Sequence, residues 1–231
     1  MAETKQVEPR TTTTDVPPRS GDFWSRNSKP ILYAALALLL VVGGYFAYKQ
    51  FIQKPNEQKA ADAIAKAEAY FRADSLQLAL NGDGMNPGFL KVIADFGGTK
   101  AGNLARFYAG TALLNLGDNA AAAKHLDDFE TDSKPVQARA YKLLGDAYAG
   151  LGKNGEALAN YKKAAEHFEE DELNASQYLF MAAYFADRVM NNKAEAIELY
   201  KELKEEYPAT QFGFEADKYL AQLGVYSTDK K

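Results

Sequence analysis

The chain has 231 residues, of which 47% are hydrophobic and 25% are charged, a composition typical of a protein that can bury a core. Its formal net charge of −4 excludes the basic excess of a nucleic-acid-binding protein. Because the chain has no cysteine, it forms neither disulfides nor thiolate metal sites, and its two histidines limit imidazole chemistry.

The N-terminal segment 1–29 contains four consecutive threonines, three prolines and scattered charges, with little apolar content before Phe23. Its apolar residues follow neither the helical nor the strand period. A segment of this kind cannot bury enough apolar surface to offset the entropy lost on ordering. We therefore predict a disordered, cytoplasmic tail over residues 1–29.

An uncharged apolar run follows from Ile31 to Tyr48, and as a helix it is roughly 27 Å long. A bilayer core needs about 20 apolar residues, and flanking apolar and aromatic residues complete that length, so we predict a transmembrane helix over 30–52. A cleaved signal peptide is the alternative, but its apolar region is shorter and ends at small residues. The basic residues on the two sides nearly balance, which favours a cytoplasmic N-terminus only slightly.

Residues 53–59 are predicted to be a linker in which Pro55 interrupts the helix that leaves the membrane. The rest of the chain is rich in alanine and amphipathic, with aromatic residues and leucines three and four positions apart. This pattern predicts nine to ten helices and no sheet, and the short turns between them predict antiparallel neighbours. The domain is expected over 60–226, followed by a second disordered tail at 227–231.

Small residues recur with a spacing of 35 residues inside this domain. We expect two helices to cross at Gly145 and Ala157, because small residues allow close approach, and we expect Gly152 to end the first helix in the left-handed conformation. One helical hairpin cannot bury its apolar face alone, so neighbouring hairpins must stack. The recurring pairs are Gly110 with Gly145, Gly117 with Gly152, and Ala122 with Ala157.

The segment 140–164 resembles the tetratricopeptide consensus at its helical core positions. Weaker copies cover 103–137 and 177–210, and a degenerate first copy begins near Ala60, is interrupted by the loop NGDGMNPG and resumes at 89–96. A final helix is predicted from Gln211 to Leu223. The resemblance implies a solenoid of about four helical hairpins with a capping helix, so that with the transmembrane helix the whole fold is predicted to be all-α. The tetratricopeptide-like core positions are Tyr141, Leu144, Gly145, Tyr148, Ala157, Tyr161 and Ala164.

No residue pattern in the chain predicts a catalytic, cofactor-binding or metal site, so we do not expect an enzyme. His125 and His167 lie in separate repeats without the spacing of paired metal ligands. The glycine-rich segments 82–84 and 97–100 lack the context of a phosphate-binding loop, and the acidic run 169–172 lacks the spaced ligands of a calcium loop. We interpret the histidines as half-buried or solvent-facing structural residues and the other segments as turns and a solvated helix end.

In tetratricopeptide folds the first helix of each pair lines a concave groove that binds partner proteins. The matching positions here are aromatic at both ends of the groove and charged in the middle. An alternative remains open for each residue, namely that it packs into the core instead. The predicted groove residues are Phe107, Thr111, Arg139, Lys142, Asp146, Tyr178, Met181, Phe185 and Arg188; Leu104, Leu114 and Ala149 occupy further groove positions.

The full plan of tail, anchor and repeat domain resembles the YfgM-like family of bacterial inner-membrane proteins, which are ancillary subunits of the SecYEG translocon. The resemblance implies a cytoplasmic N-terminus, a periplasmic repeat domain, and protein partners that include SecYEG and a membrane-anchored periplasmic chaperone. The leading hypothesis is a membrane-anchored scaffold for protein–protein interaction. The alternative is an envelope-assembly or cell-division coordinator that self-associates through its repeats as a homo-oligomer.

Overall fold

The computed structural model describes residues 20–226, with side chains from residue 27 onward. The chain divides into two compact units after Ile52. The described residues form helices and turns with no β-strand among them, which confirms the all-α prediction. The disorder predicted for 1–19 and 227–231 lies outside the described residues.

The first unit contains α1 (Ser20–Tyr48). Within the part of the chain that is described, this is the one helical segment long and apolar enough to cross a membrane. Its apolar side chains are exposed, as shown by Leu40 at 69% and Val41 at 70%. The core helix of a water-soluble domain would bury such side chains, so these properties fit a segment that contacts lipid.

The helix continues beyond both ends of the predicted transmembrane segment, so the disordered and linker assignments that flank it are wrong. Residues 20–29, assigned to the disordered tail, are helical. Elongating a helix costs less than nucleating one, so the apolar helix extends into these residues. The linker predicted at 53–59 is also helical, since a π-helical segment (Lys49–Gln53) is followed directly by α2 (Lys54–Arg72). Pro55 lies in the first turn of α2, where its missing N–H removes no helical hydrogen bond.

The second unit consists of ten α-helices among the described residues, in agreement with the predicted number. Each helix packs against the next one along the chain. The bounds after α2 are α3 (Leu76–Asn81), α4 (Phe89–Phe96), α5 (Lys100–Asn115), α6 (Asn119–Asp127), α7 (Lys134–Gly150), α8 (Asn154–His167), α9 (Glu172–Arg188), α10 (Lys193–Glu206) and α11 (Gln211–Gln222).

Five of these helices begin at a capping side chain of a type that favours helix starts. Each accepts a hydrogen bond from the backbone N–H three residues later, which satisfies a donor that has no partner inside the helix. The helix starts are thus encoded locally, and they set the direction in which each helix leaves its turn. The capping residues are Thr99, Asp118, Asp171, Asn192 and Thr210.

The helices of two hairpins approach closely at glycine, as predicted. A Cβ on Gly145 would lie 2.7 Å from the Tyr161 ring and 3.2 Å from the backbone oxygen of Ala157. In the preceding hairpin, a Cβ on Gly110 would lie 2.6 Å from Leu126. Gly152 has a φ of +71°, which confirms the left-handed turn expected there.

Helix α7 joins two buried clusters. One cluster contains side chains from α2 to α7, and the other contains side chains from α7 to α11. Ala138 belongs to the second cluster, Leu144 belongs to the first, and Tyr148 packs against both. Because α7 is held on two sides, the residues on its remaining exposed surface are placed by a rigid element.

Candidate functional site: an aromatic pocket

A pocket of about 490 Å³ opens between four helices of the second unit. This volume is within the range of sites that bind small molecules or single side chains of a partner. Helices α2, α5, α7 and α9 contribute its walls, and we call it the aromatic pocket. Its lining residues are Phe71, Leu104, Phe107, Tyr108, Thr111, Pro135, Val136, Arg139, Asn174 and Tyr178.

Ring contacts hold the aromatic wall in place. The Tyr108 ring lies 5.2 Å from Phe71 and 5.8 Å from Phe107, measured between ring centroids. Phe107 in turn lies 5.3 Å from Phe129, which is buried. Aromatic pairs at such distances stabilise one another beyond the surface they bury. The wall therefore presents a fixed apolar surface rather than a set of independent side chains.

Arg139 is the one charged residue in the lining of this pocket. It is exposed, and it forms no ion pair with any residue that the structure describes. Tyr178 lies opposite on α9, and burial raises the pKa of its phenol while the Arg139 charge partly opposes that effect. The phenol therefore stays protonated at neutral pH. The pocket presents a free cation and neutral polar groups beside an apolar wall.

Four of the nine predicted groove residues meet in the aromatic pocket. Phe107, Thr111, Arg139 and Tyr178 come from three different helices, α5, α7 and α9. The Thr111 hydroxyl donates a hydrogen bond to the backbone oxygen of Phe107 at 2.8 Å, so its oxygen is left as an acceptor. The repeat positions thus identified residues that are distant in sequence and adjacent in the structure.

The other predicted groove residues interact with neighbours in their own unit. Lys142 lies 2.7 Å from Asp146, whose second oxygen accepts a hydrogen bond from the Tyr161 hydroxyl at 3.0 Å. Phe185 packs edge-on against Tyr161. Lys142 and Asp146 in the charged middle of the predicted groove therefore neutralise each other. Met181 is half-buried against the core, and Arg188 lies 2.8 Å from Asp187 and donates to Gln222 at 2.7 Å.

The sequence left open whether three predicted groove aromatics line the groove or pack into the core, and their burial answers this question. Phe107, Tyr178 and Phe185 are each only 8% exposed, so they are core residues and not free anchors. Phe107 and Tyr178 still contribute an edge to the aromatic pocket. Truncating them would remove packing worth about 3–5 kcal/mol, so they are unsuitable for testing binding separately from stability.

Sequence reasoning missed several pocket residues. Phe71 comes from α2, which belongs to the degenerate first hairpin and carries no groove position that the repeat pattern could identify. Tyr108 and Asn174 lie on first helices but outside the consensus groove positions. Pro135 and Val136 open α7, and only the observed packing of α7 against α5 places them at the pocket.

Histidines and carboxylates are not gathered into a metal site within the described ranges, where no group of three or more could hold an ion. Both histidines are half-buried, as interpreted from the sequence. Burial lowers the pKa of His125, and His167 packs edge-on against Tyr141 at 5.4 Å.

Comparisons of the chain with protein-family models, with curated proteins and with solved structures gave no match. The functional assignment therefore depends on the residues and on the geometry of the pocket.

Proposed function

We propose that this chain is a membrane-anchored scaffold whose aromatic pocket binds a segment of another protein. The observation that carries the proposal is the convergence of apolar walls from four helices around Arg139, a cation without an ion-pair partner among the described residues. Aromatic residues and arginine are the types that contribute most to binding energy at protein interfaces. The backbone of α7, which carries Arg139, is already held on two sides before a ligand binds, which reduces the ordering cost.

The pocket chemistry specifies the kind of segment that fits. The apolar wall suits one or two large apolar side chains, and Arg139 suits a carboxylate close to them. No acidic residue lines the pocket, so nothing in it repels such a carboxylate. The ligand in this proposal is a protein segment with an apolar residue next to Asp or Glu.

The helices of the second unit form about four tetratricopeptide repeats with α11 as the capping helix in this proposal. The close approach at Gly110 and Gly145 supports the register, since both glycines occupy the same position 35 residues apart. The turns at Gly117 and Gly152 share positive φ values of 83° and 71°. The two best hairpins therefore repeat in local geometry as well as in sequence.

The resemblance to the YfgM-like family supplies the particular location and partners. On that basis the chain belongs to a bacterial inner membrane, with a cytoplasmic N-terminus and a periplasmic repeat domain. Its partners are then the SecYEG translocon and a membrane-anchored periplasmic chaperone. The apolar α1 supports the membrane anchor, and the aromatic pocket supports binding of a protein.

Site-specific photo-crosslinking tests the pocket. A photoreactive phenylalanine analogue replaces Val136 in the full chain in cells, and crosslinked proteins are identified by mass spectrometry. Arg139→Glu reverses the charge in the pocket, while Lys124→Glu makes the same charge change at an exposed position of α6 outside it. We expect crosslinks from Val136 that Arg139→Glu abolishes and Lys124→Glu retains.

Equal crosslinking in both charge variants would exclude the aromatic pocket as the binding site. Failure of Val136 to crosslink any protein would remove the scaffold proposal. Crosslinks to proteins other than translocon subunits or envelope chaperones would remove the translocon assignment and leave the scaffold standing.

Self-association is a second candidate function, and one observation favours it. Phe214 on α11 is 72% exposed and Tyr226 is 74% exposed, although α11 is the last helix described. Exposed aromatic residues at the end of a helical stack can contact a second copy. Light scattering of the full chain in a non-ionic detergent measures this directly, and a mass that rises with concentration and falls in Phe214→Ser would favour self-association.

A further inference from the structure

Two buried polar atoms of the described residues have no hydrogen-bond partner, and both lie between α9 and α10. They are the hydroxyl oxygen of Tyr200 on α10 and Oδ2 of Asp187 on α9. The charge of Asp187 acts on the Tyr200 phenol, so the two groups are close to each other. Tyr200 is 0% exposed and Asp187 is 8% exposed, so the surrounding helices keep bulk water away from both atoms.

The neighbouring side chains do not satisfy these two groups. Burial raises the pKa of Tyr200 and the Asp187 charge adds to this effect, so the phenol keeps its proton at neutral pH and has no acceptor for it. Nε of Arg188 lies 2.8 Å from Oδ2 of Asp187 but is not aligned for a hydrogen bond. A buried polar group without a partner costs free energy, and contact with water removes that cost. The closed packing around Tyr200 is therefore locally unfavourable.

Helix α11 covers the Tyr200 side chain. The Tyr219 ring of α11 stacks on the Tyr200 ring, with 5.1 Å between the ring centroids. The same Tyr219 ring lies 5.1 Å from Phe180 of α9, and Phe212 of α11 lies 5.0 Å from Phe180. Moving α11 away would therefore uncover the Tyr200 ring, admit water to its hydroxyl and remove the cost of burying that hydroxyl.

Helix α11 buries less of itself than the helices beneath it. Three of its 12 residues are buried, namely Gly213, Ala216 and Leu220, whereas nine of the 17 residues of α9 are buried. Glycine and alanine bury little apolar surface, so most of the apolar attraction comes from Leu220 and from the partly buried rings of Phe212 and Tyr219. No described helix follows α11 in the stack, so its other side has no helix to hold it.

The polar links between α11 and the other helices of its unit lie at the surface. Arg188 donates a hydrogen bond to Gln222 at 2.7 Å, and the Lys204 ammonium lies 2.9 Å from the Asp217 carboxylate. Exposed pairs of this kind contribute little to stability, because water competes for both partners. The closed position of α11 thus depends on stacked rings and weak surface pairs, and the buried groups beneath it favour opening.

We propose that α11 is a displaceable cap, which opens while the other helices of the second unit stay folded. Gly213 at its start lies against the Tyr207 backbone with no room for a side chain, so the helix opens from its C-terminal end. Opening exposes the rings of Phe180 and Tyr200 together with the Asp187 carboxylate. The cap therefore controls whether this end of the unit presents α11 or an aromatic face beside a negative charge. It acts independently of the aromatic pocket.

Hydrogen–deuterium exchange with mass spectrometry tests the cap on the full chain in a non-ionic detergent at pH 7. Tyr200→Phe removes the hydroxyl that has no partner and keeps the ring. Tyr161→Phe is the matched control, because it removes the hydroxyl of another buried tyrosine, one that donates to Asp146 at 3.0 Å. Circular dichroism confirms that each variant is folded.

In the native chain we expect the amides of residues 217–222 to exchange at least about 100-fold faster than those of residues 179–186 in α9. Tyr200→Phe should slow the exchange of residues 217–222 roughly tenfold, because closing α11 then buries no unpaired hydroxyl. Tyr161→Phe should leave that exchange unchanged. Equal exchange of α9 and α11 in the native chain would overturn the proposal. Unchanged or faster exchange of α11 in Tyr200→Phe would also overturn it, because the hydroxyl would then not favour opening.

Thiol labelling provides a second measurement that leaves Tyr200 intact. Ala216 on α11 and Ala182 on α9 are both 0% exposed, and the chain has no cysteine of its own. In the folded full chain, a maleimide should modify Ala216→Cys and leave Ala182→Cys unmodified over the same time. Equal labelling of the two thiols would show that the helices open together. Labelling of neither would show that α11 stays closed, and either result would overturn the proposal.

Discussion

Gly145 lies where α7 and α8 approach each other closely. The Tyr161 ring and the Ala157 carbonyl occupy the space that a side chain would need. Tyr161 is buried, and its hydroxyl donates to Asp146, so the ring is held at both ends. A larger residue at position 145 must therefore displace a ring that has no free direction in which to move.

Gly145→Ala should destabilise the domain. Overpacking a close contact costs about 1–3 kcal/mol, and each kcal/mol lowers the Tm of a domain of this size by about 2–4 °C. Gly155→Ala is the matched control, because nothing lies within 4 Å of a Cβ added there. The control should leave the Tm unchanged or raise it, because replacing glycine with alanine at a site with room can increase the free energy of unfolding by up to about 1 kcal/mol. Equal Tm values for the two variants, measured by thermal circular dichroism, would show that the helices do not cross at Gly145.

At the residue scale, the sequence predicted that α7 and α8 cross at small residues, because a close approach of two helices leaves no room for larger side chains. It predicted the positions of Phe107 and Tyr178 but not their burial. Burial of Phe107 depends on its ring contacts with Phe129 and with Tyr108 beside it. Such contacts between distant segments do not appear in a periodic pattern of one sequence.

The loop between α3 and α4 is organised by one carboxylate. Asp83 accepts hydrogen bonds from the Tyr70 hydroxyl at 2.6 Å and from the backbone N–H of Asn86 at 2.6 Å. It also accepts from the side chain of Asn86 and from the backbone of Met85. These donors favour the charged form and hold the pKa of Asp83 well below its usual range. The Tyr70 hydroxyl joins the loop to α2.

Acidification should weaken this loop. Because the folded pKa of Asp83 is depressed, its contribution is complete above the unfolded pKa of about 3.9 and is lost as the pH falls toward the folded value. At neutral pH, Asp83→Asn should therefore lower the Tm and speed exchange of the Met85 and Asn86 amides. Near pH 3 and below, the difference from the native chain should shrink.

Asp62→Asn removes the same charge from an exposed position of α2 and serves as the control. It should change neither the Tm nor amide exchange in the loop. If the difference between Asp83→Asn and the native chain stayed constant from pH 7 to pH 3, then the carboxylate would not be what organises the loop.

At the element scale the helices after residue 60 were predictable because local signals agree. Apolar spacing, capping residues and short turns all specify the same boundaries, and α11 ends one residue before the predicted Leu223. The segments 20–29 and 53–59 were not predictable in this way. Each extends a neighbouring helix, and local composition underestimates a helix whose nucleus lies outside the segment.

At the scale of the whole molecule, the apolar helix α1 and the orientation of the chain decide which partner proteins can be considered. In the proposed function the apolar α1 keeps the second unit close to a membrane, and orientation then decides which proteins its candidate site can reach. The aromatic pocket belongs to the second unit, whichever side of the membrane that unit lies on. Orientation is therefore the measurement that most narrows the list of partners.

The absence of cysteine from the chain makes orientation directly measurable. Met85→Cys places one thiol on a loop where the native side chain is 93% exposed, and Thr12→Cys places one before the apolar segment. In intact spheroplasts, a membrane-impermeant maleimide should label the cysteine at position 85 completely and the cysteine at position 12 only after the membrane is permeabilised. The opposite result would place the domain in the cytoplasm and remove periplasmic partners from the proposed function. Labelling of both thiols before permeabilisation would show that α1 does not separate the two positions, and the anchor itself would then be disproved.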